Sequence, residues 1–184
     1  MKTLKRIVLC IVLAMVTVIL FRGWLYRNFV SYDSVTERRT YVANSELASI
    51  LRDESSNLKT ADAKMIIERS LKITSTQLKF TSSRNENDPN RLIHTHTAHC
   101  VGYAAFFSTT CNYLLAQQGL DERWVATPQV GQLHFLGINI HPYFDSPFFI
   151  DHDFVVVRNK ITGETISVDP TVADYLFIDY VTLR

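Results

Sequence analysis

Net charge is nearly absent from this chain: 19 lysines and arginines face 18 aspartates and glutamates, a formal balance of +1 at pH 7. Such a balance supplies no basic field to hold a polyphosphate, so no nucleic-acid partner is expected. No repeat period and no low-complexity tract occurs, and 47% hydrophobic with 20% charged residues describes an ordinary globular chain. Cysteine is scarce, with only Cys10, Cys100 and Cys111. The last two lie eleven positions apart. On one helix they would share a face but stand about 16 Å apart along the axis, beyond the roughly 7 Å between Cα atoms that a disulfide spans. The body therefore carries two free thiols. Metal signatures are missing too: there is no Cys-x-x-Cys, no His-x-x-x-His and no D-x-D-x-D-G calcium loop.

What is present begins with an apolar run. Lys2, Lys5 and Arg6 precede the uncharged stretch from Ile7 to Phe21. Alone it is short of the roughly 20 residues that cross a bilayer. Leu4 in front, and Trp24, Leu25 and Tyr26 around Arg22 behind, extend it to a span with an interfacial belt. A cleaved signal peptide shares the charged start and apolar middle, but no small-x-small cleavage site follows. Residues 1–27 are thus read as a single-pass cell-membrane anchor, with a signal peptide and a secreted domain as the alternative. The leading positive charges favour a cytoplasmic N-terminus and an extracytoplasmic domain, while Arg22 and Arg27 weigh the other way. Residues 28–43 are polar, charged and β-branched and read as a tether to a domain over 44–184.

Within that domain, Leu47, Ile50, Leu51, Glu54 and Leu58 fall at helical spacing after an Asn44 or Ser45 cap. Ala63, Ile66, Ile67 and Leu71 mark a second helix, with Thr60 as its expected cap. "ITSTQLKF", from Ile73, alternates like a short strand, and "TSSRNENDPN", from Thr81, reads as a polar loop. From Cys100 to Gly119 the chain is apolar around most of a helix circumference, which marks a buried central helix ended by glycine. Strand-like runs follow: "RWVAT", "GQLHFL", "FFIDHDFVVVR" and "ETISVDP", the last two flanking a hairpin turn with Gly163. Helices first and strands afterwards predict an α+β domain, the buried helix packed on an antiparallel sheet.

A cysteine in the first turn of a buried helix has a chemical advantage. The helix N-terminus carries about half a positive charge and outward N–H groups, which favour the thiolate and can receive the oxyanion of a tetrahedral intermediate. Cys100 has that placement; Cys111 lies mid-helix and reads as a small buried hydrophobe. A thiolate also needs a base and a group to orient it. His152 opens one strand of the hairpin and Asp169 ends the other. With an even loop between the strands, both face the same side of the sheet. A loop of Asn159 to Thr162 would set them directly opposite, and a Thr162-Gly163 loop would offset them by several residues.

These residues resemble the transglutaminase-like superfamily. Cys100-Val101-Gly102-Tyr103-Ala104 is similar to its C-x-G-Y-A nucleophile motif, His152-Asp153-Phe154 to its histidine motif, and Asp169-Pro170-Thr171 to its D-P-T motif, in the family's order. The resemblance covers residues 60–176 approximately. It implies a papain-like α+β fold with Cys100 as nucleophile, His152 as base and acid, and Asp169 orienting the imidazole. It further implies a peptide or protein amide substrate, a thioester intermediate and no cofactor. Two positions depart from the pattern: Thr97-Ala98-His99 replaces a glycine-rich lead, and Asp153 replaces a small residue.

Asn90, His94, His96, His99 and Tyr143 are candidates for the oxyanion hole or substrate contacts, with Tyr143 and Phe144 as part of a substrate wall. Phe149 and Phe154 are expected in the core, and His134 and His141 as structural or rim residues. Two other readings stand beside the enzyme. One is an inactive domain of the same fold acting as a membrane-tethered binding module. The other is a metal site on His94, His96 and His99 or Cys100.

Overall fold

The apolar run that follows Cys100 forms the centre of the molecule. In the computed structural model, which describes residues 2–56, 62–83 and 85–184, it is an 18-residue helix, Cys100–Gln117. Every residue from Gly102 to Cys111 is buried, and Gly119 follows the helix end in the left-handed conformation (φ 66°). The chain runs α1 (Lys2–Phe29), β1 (Val30–Glu37), α2 (Ser45–Glu54), α3 (Ala63–Gln77), β2 (Lys79–Phe80), α4 (Pro89–Thr95), β3 (Thr97–Ala98) and α5 (Cys100–Gln117). It continues through β4 (Trp124–Phe135), β5 (Ile138–Asn139), β6 (His152–Asn159), β7 (Thr165–Val168), α6 (Pro170–Leu176) and β8 (Thr182–Leu183).

One sheet carries the strands in the order β7-β6-β4-β1-β8, with β5 pairing β4. The pairings in it are antiparallel except β1 with β8. A separate parallel pair joins β2 to β3. The fold is therefore mixed α+β, and α5 packs between α3 on one side and β4 and β6 on the other. Leu47, Ile66, Leu92, Phe106, Phe107, Val155 and Val157 belong to one core that joins these layers, each 0% exposed.

Several expectations need correction. Residues 30–37 are not a tether: they form β1, paired along most of its length with β4, and Tyr32 is 0% exposed. The alternation in "ITSTQ" is not a strand. α3 continues to Gln77 because Ile73 and Thr74 face the core, and the Ser70 and Thr74 hydroxyls bond back to the Ile66 and Ser70 carbonyls. Asp62 caps α3 through the Met65 N–H; Thr60 and Leu58 lie outside the described residues. The end of the expected polar loop opens α4, with Asp88 as N-cap and Pro89 at the first helical position. The two strand-like runs after Arg123 are one strand, β4. Val155 opposes Val168 in the β6–β7 hairpin. Asp169 is therefore on the same face as His152 but two positions off directly opposite, between the two registers considered.

Gly102 has a packing task in the stretch Cys100–Ala104. A Cβ at this position would stand 2.7 Å from the Ala98 Cβ and 3.3 Å from Leu92 Cδ1. The glycine is what lets β3 and α4 lie against the first turn of α5. Gly102→Ala is expected to cost about 1–3 kcal/mol by overpacking. Chemical denaturation should show this loss, and Ala98→Gly in the same chain should restore most of it.

Candidate active site

Three elements of different kinds bring their ends together. Cys100 opens α5, His152 opens β6, and Asp169 lies between β7 and α6. The thiol lies within electrostatic reach of the His152 and His99 side chains and of the backbone N–H of Asp153. His152 Nε2 lies 2.6 Å from Asp169 Oδ2, which leaves Nδ1 for the sulfur. Gly131 of β4, opposite His152, makes room for the ring's strand: a Cβ there would fall 2.5 Å from Phe154 Cε1.

Asp169 is 0% exposed and satisfies four donors. As N-cap of α6 its Oδ1 accepts the N–H groups of Thr171 (3.0 Å) and Val172 (3.1 Å). Its Oδ2 accepts His152 Nε2 and the Tyr32 hydroxyl, the latter at 2.8 Å. Burial pushes this carboxyl up, but the His152 charge and the donors outweigh it and hold the group below the usual carboxylate value. A carboxylate so held keeps Nε2 as the protonated nitrogen.

Burial alone would also lower the His152 pKa, yet Asp169 and the thiol raise it well above its ordinary value. Burial likewise pushes the Cys100 thiol up, and hydrogen bonds from His152 and His99 with the His152 charge bring it down to about 7. Cys111, wholly buried, is pushed up to about 12 instead. The two thiols are thus separated chemically as well as by place.

Of the other candidates, only His99 touches the thiol. It is the N-cap of α5, its Nδ1 accepting the Val101 N–H at 3.3 Å. Asn90 holds the Asn44 N–H and the Val42 carbonyl, a structural task. His94 is exposed, with Nε2 3.6 Å from Glu46. His96 caps α4 and has Nδ1 3.0 Å from the Gln77 carbonyl, so neither imidazole turns to Cys100. Tyr143 is 75% exposed. His141 is buried and structural: Nε2 accepts the Leu133 N–H (2.8 Å) and Nδ1 donates to the Phe149 carbonyl (2.6 Å). His134 is buried as well, with Nε2 3.5 Å from Asp33. Phe154 is core as expected, whereas Phe149 is 45% exposed and lines a cavity beside the thiol.

Four participants were not foreseen. Tyr32 of β1 donates to Asp169, and Tyr26 of α1 lies 2.6 Å from the Tyr32 hydroxyl. Tyr32 has a single proton and gives it to Asp169, so Tyr26 is the donor to Tyr32. Arg38, just past β1, bonds Asp153 through Nε and, at 2.9 Å, through Nη2. Burial raises the Asp153 carboxyl more than Arg38 lowers it. That pair fixes the backbone whose N–H meets the sulfur. The β-branched and aromatic residues of "VSYDSVT" were the available signal for β1, and with it for Tyr32.

The C-x-G-Y-A residues also act together. Tyr103 donates to Asp174 of α6 at 2.8 Å, tying the helix that carries the thiol to the helix that Asp169 caps. A scan of protein-family models and a search of curated proteins each found no match to this chain. The arrangement can hold a thiolate–imidazolium pair, present its sulfur at a helix N-terminus and orient the ring from a buried carboxylate.

Tyr32→Phe would leave Asp169 one donor short and Tyr26 without its acceptor. The expected loss is about 1–2 kcal/mol, read as a Tm lower by roughly 2–8 °C. The depressed folded-state value of Asp169 means that its stabilisation is present above about pH 4 and is lost as pH falls through that folded value. Asp169→Asn should therefore flatten the acid limb of the stability profile as well as lower its plateau.

Proposed function

We propose that this protein is a transglutaminase-like cysteine enzyme with a papain-like core, hydrolysing or transferring the acyl group of an amide. The observation that carries the reading is the convergence of Cys100, at the head of a buried helix, on the imidazole of His152, itself 2.6 Å from the buried Asp169 carboxylate. A binding module of the same fold has no need of a low thiol value facing an oriented imidazole. The reading needs no metal.

In the proposed reaction the Cys100 thiolate attacks the amide carbonyl carbon. The oxyanion meets the N–H groups at the first turn of α5. His152 gives its Nδ1 proton to the departing amine as the C–N bond breaks, leaving a thioester on Cys100. Water or a second amine then attacks the thioester, losing its proton to His152, and the thiolate is regenerated.

The chain also contains one helix among its described residues, Leu4–Phe29, that is long and apolar enough to cross a membrane. We read it as an uncleaved anchor with the domain on the extracytoplasmic side. Its last turns are joined to the domain, which supports retention. Arg22 donates to the Leu176 and Phe177 carbonyls, Thr182 donates to the Arg27 carbonyl, and the Leu136 N–H donates to the Phe29 carbonyl.

The pH dependence of Cys100 alkylation tests the enzyme reading. Labelling by iodoacetamide, read at Cys100 by peptide mass spectrometry, is expected to rise with a midpoint near pH 7. His152→Ala removes the counter-charge but not the burial, so its midpoint should move to the ordinary thiol value of about 8.5 or above. A wild-type midpoint at the ordinary thiol value, unchanged in His152→Ala, would favour the binding module.

A further inference from the structure

The thiol and the imidazole form one wall of a cavity of about 260 Å³ whose other walls are mostly apolar. Phe80, Leu133, Ile140, Phe144, Phe148 and Phe149 supply them. Asp151 and Thr171 are the remaining polar lining besides His141, and the carboxylate of Asp151 is turned toward Arg38, 3.6 Å away.

The aromatic walls brace one another. Phe80 meets Phe148 edge-on at 6.2 Å, Phe148 meets Phe149 edge-on at 5.1 Å, and Phe149 stacks obliquely on Phe144 at 4.9 Å. His141 fastens the segment that carries Phe144, Phe148 and Phe149 to β4 through its two ring nitrogens. The cavity is thus held open by contacts that need no ligand. Phe144 and Phe149 remain 47% and 45% exposed, apolar surface at the cavity mouth that a bound apolar group would cover.

Resting on the reading of Cys100 as nucleophile, we infer that this cavity is the specificity pocket. It selects acyl donors with one compact apolar group, aromatic or branched aliphatic, beside the scissile carbonyl. Size sets the upper limit, because sites enclosing a drug-sized molecule run from about 300 to 1,000 Å³. Chemistry sets the rest. A carboxylate placed there would lose its water and find phenylalanine faces and the Asp151 carboxylate in exchange. The polar lining is the reacting pair itself and a rim suited to the amide backbone of the substrate.

The test needs no known substrate. The full-length chain in detergent is treated with iodoacetamide, N-benzyl iodoacetamide and the charged N-carboxymethyl analogue. Rates are read at Cys100 by peptide mass spectrometry and divided by the rate of glutathione in the same detergent. The benzyl reagent is expected to label Cys100 about tenfold faster than iodoacetamide or more, and the charged reagent no faster than iodoacetamide. Phe144→Asp and Phe149→Asp, at exposed positions that folding should tolerate, are each expected to remove most of the benzyl advantage. A benzyl ratio within about twofold of one in the wild type would overturn the pocket while leaving a low-pH midpoint for Cys100 intact. A benzyl advantage untouched by both aspartates would also overturn it, since partition into the micelle would then account for the rate. Labelling by every reagent no faster than an ordinary thiol would sink the nucleophile and the pocket together.

Discussion

A single buried carboxylate organises this molecule. Asp169 has no contact with solvent and four donors around it, two from the backbone of α6, one from β6 and one from β1. An ionised carboxylate has about four acceptor sites in all, so none is left over. Removing it from water is costly, and that cost is met only if every donor arrives in place. The helix start, the histidine strand and the first strand of the sheet therefore have to assemble around the same atoms. The same requirement fixes the proton on His152 Nε2 and leaves Nδ1 toward the sulfur. Folding and the orientation of the imidazole are one constraint, not two.

The thiol shows the opposite balance. Burial opposes its ionisation, and a set of weak contacts overcomes burial: two imidazoles, one backbone N–H and the end of α5. Two of these contacts come from the positions that depart from the motifs the chain resembles. His99, in place of a small residue, caps α5 and reaches the sulfur. Asp153 replaces another small residue and is held by Arg38, which steadies the N–H that meets the thiol. These departures add to the electrostatics of the site without displacing any of the three central side chains. Cys111, eleven residues along the same helix, has burial without the imidazoles and is pushed up instead.

How much of this was legible in the sequence depended on how local each signal was. The buried helix could be read because its apolar surface is continuous, and its first residue could be placed because the polar lead stops at His99. The shared face of His152 and Asp169 followed from the two-residue period of a hairpin, which holds whatever the register. The register itself depended on turn geometry around Asn159, whose carboxamide and backbone organise Ile161, Thr162 and Gly163. β1 was missed for a different reason. Its outer half is exposed and polar, and its inner half is covered by strands a hundred or more residues away, so the β-branched and aromatic residues there were its one local signal. With β1 went Tyr32, and with Tyr32 the link to α1. The strand expected at Ile73 failed because serine and threonine in a helix can return their hydroxyls to the previous turn, which makes alternation a poor guide there.

The link from Tyr26 through Tyr32 to Asp169 bears on what the N-terminal helix is for. A segment that serves only to direct export can be lost without consequence for the domain it delivers. Here the last two turns of α1 give an arginine to the carbonyls at the end of α6, a carbonyl to the loop after β4 and a hydroxyl to the chain that ends at Asp169. Val30 follows Phe29 directly into the sheet, so there is no slack between helix and strand. Cutting the chain anywhere between Phe21 and Phe29 would remove Tyr26 or its support and leave the buried Tyr32 oxygen short of a donor. A helix built in this way is part of the site's scaffold. It fixes where the first strand, and through Tyr32 the buried carboxylate, stand relative to α1.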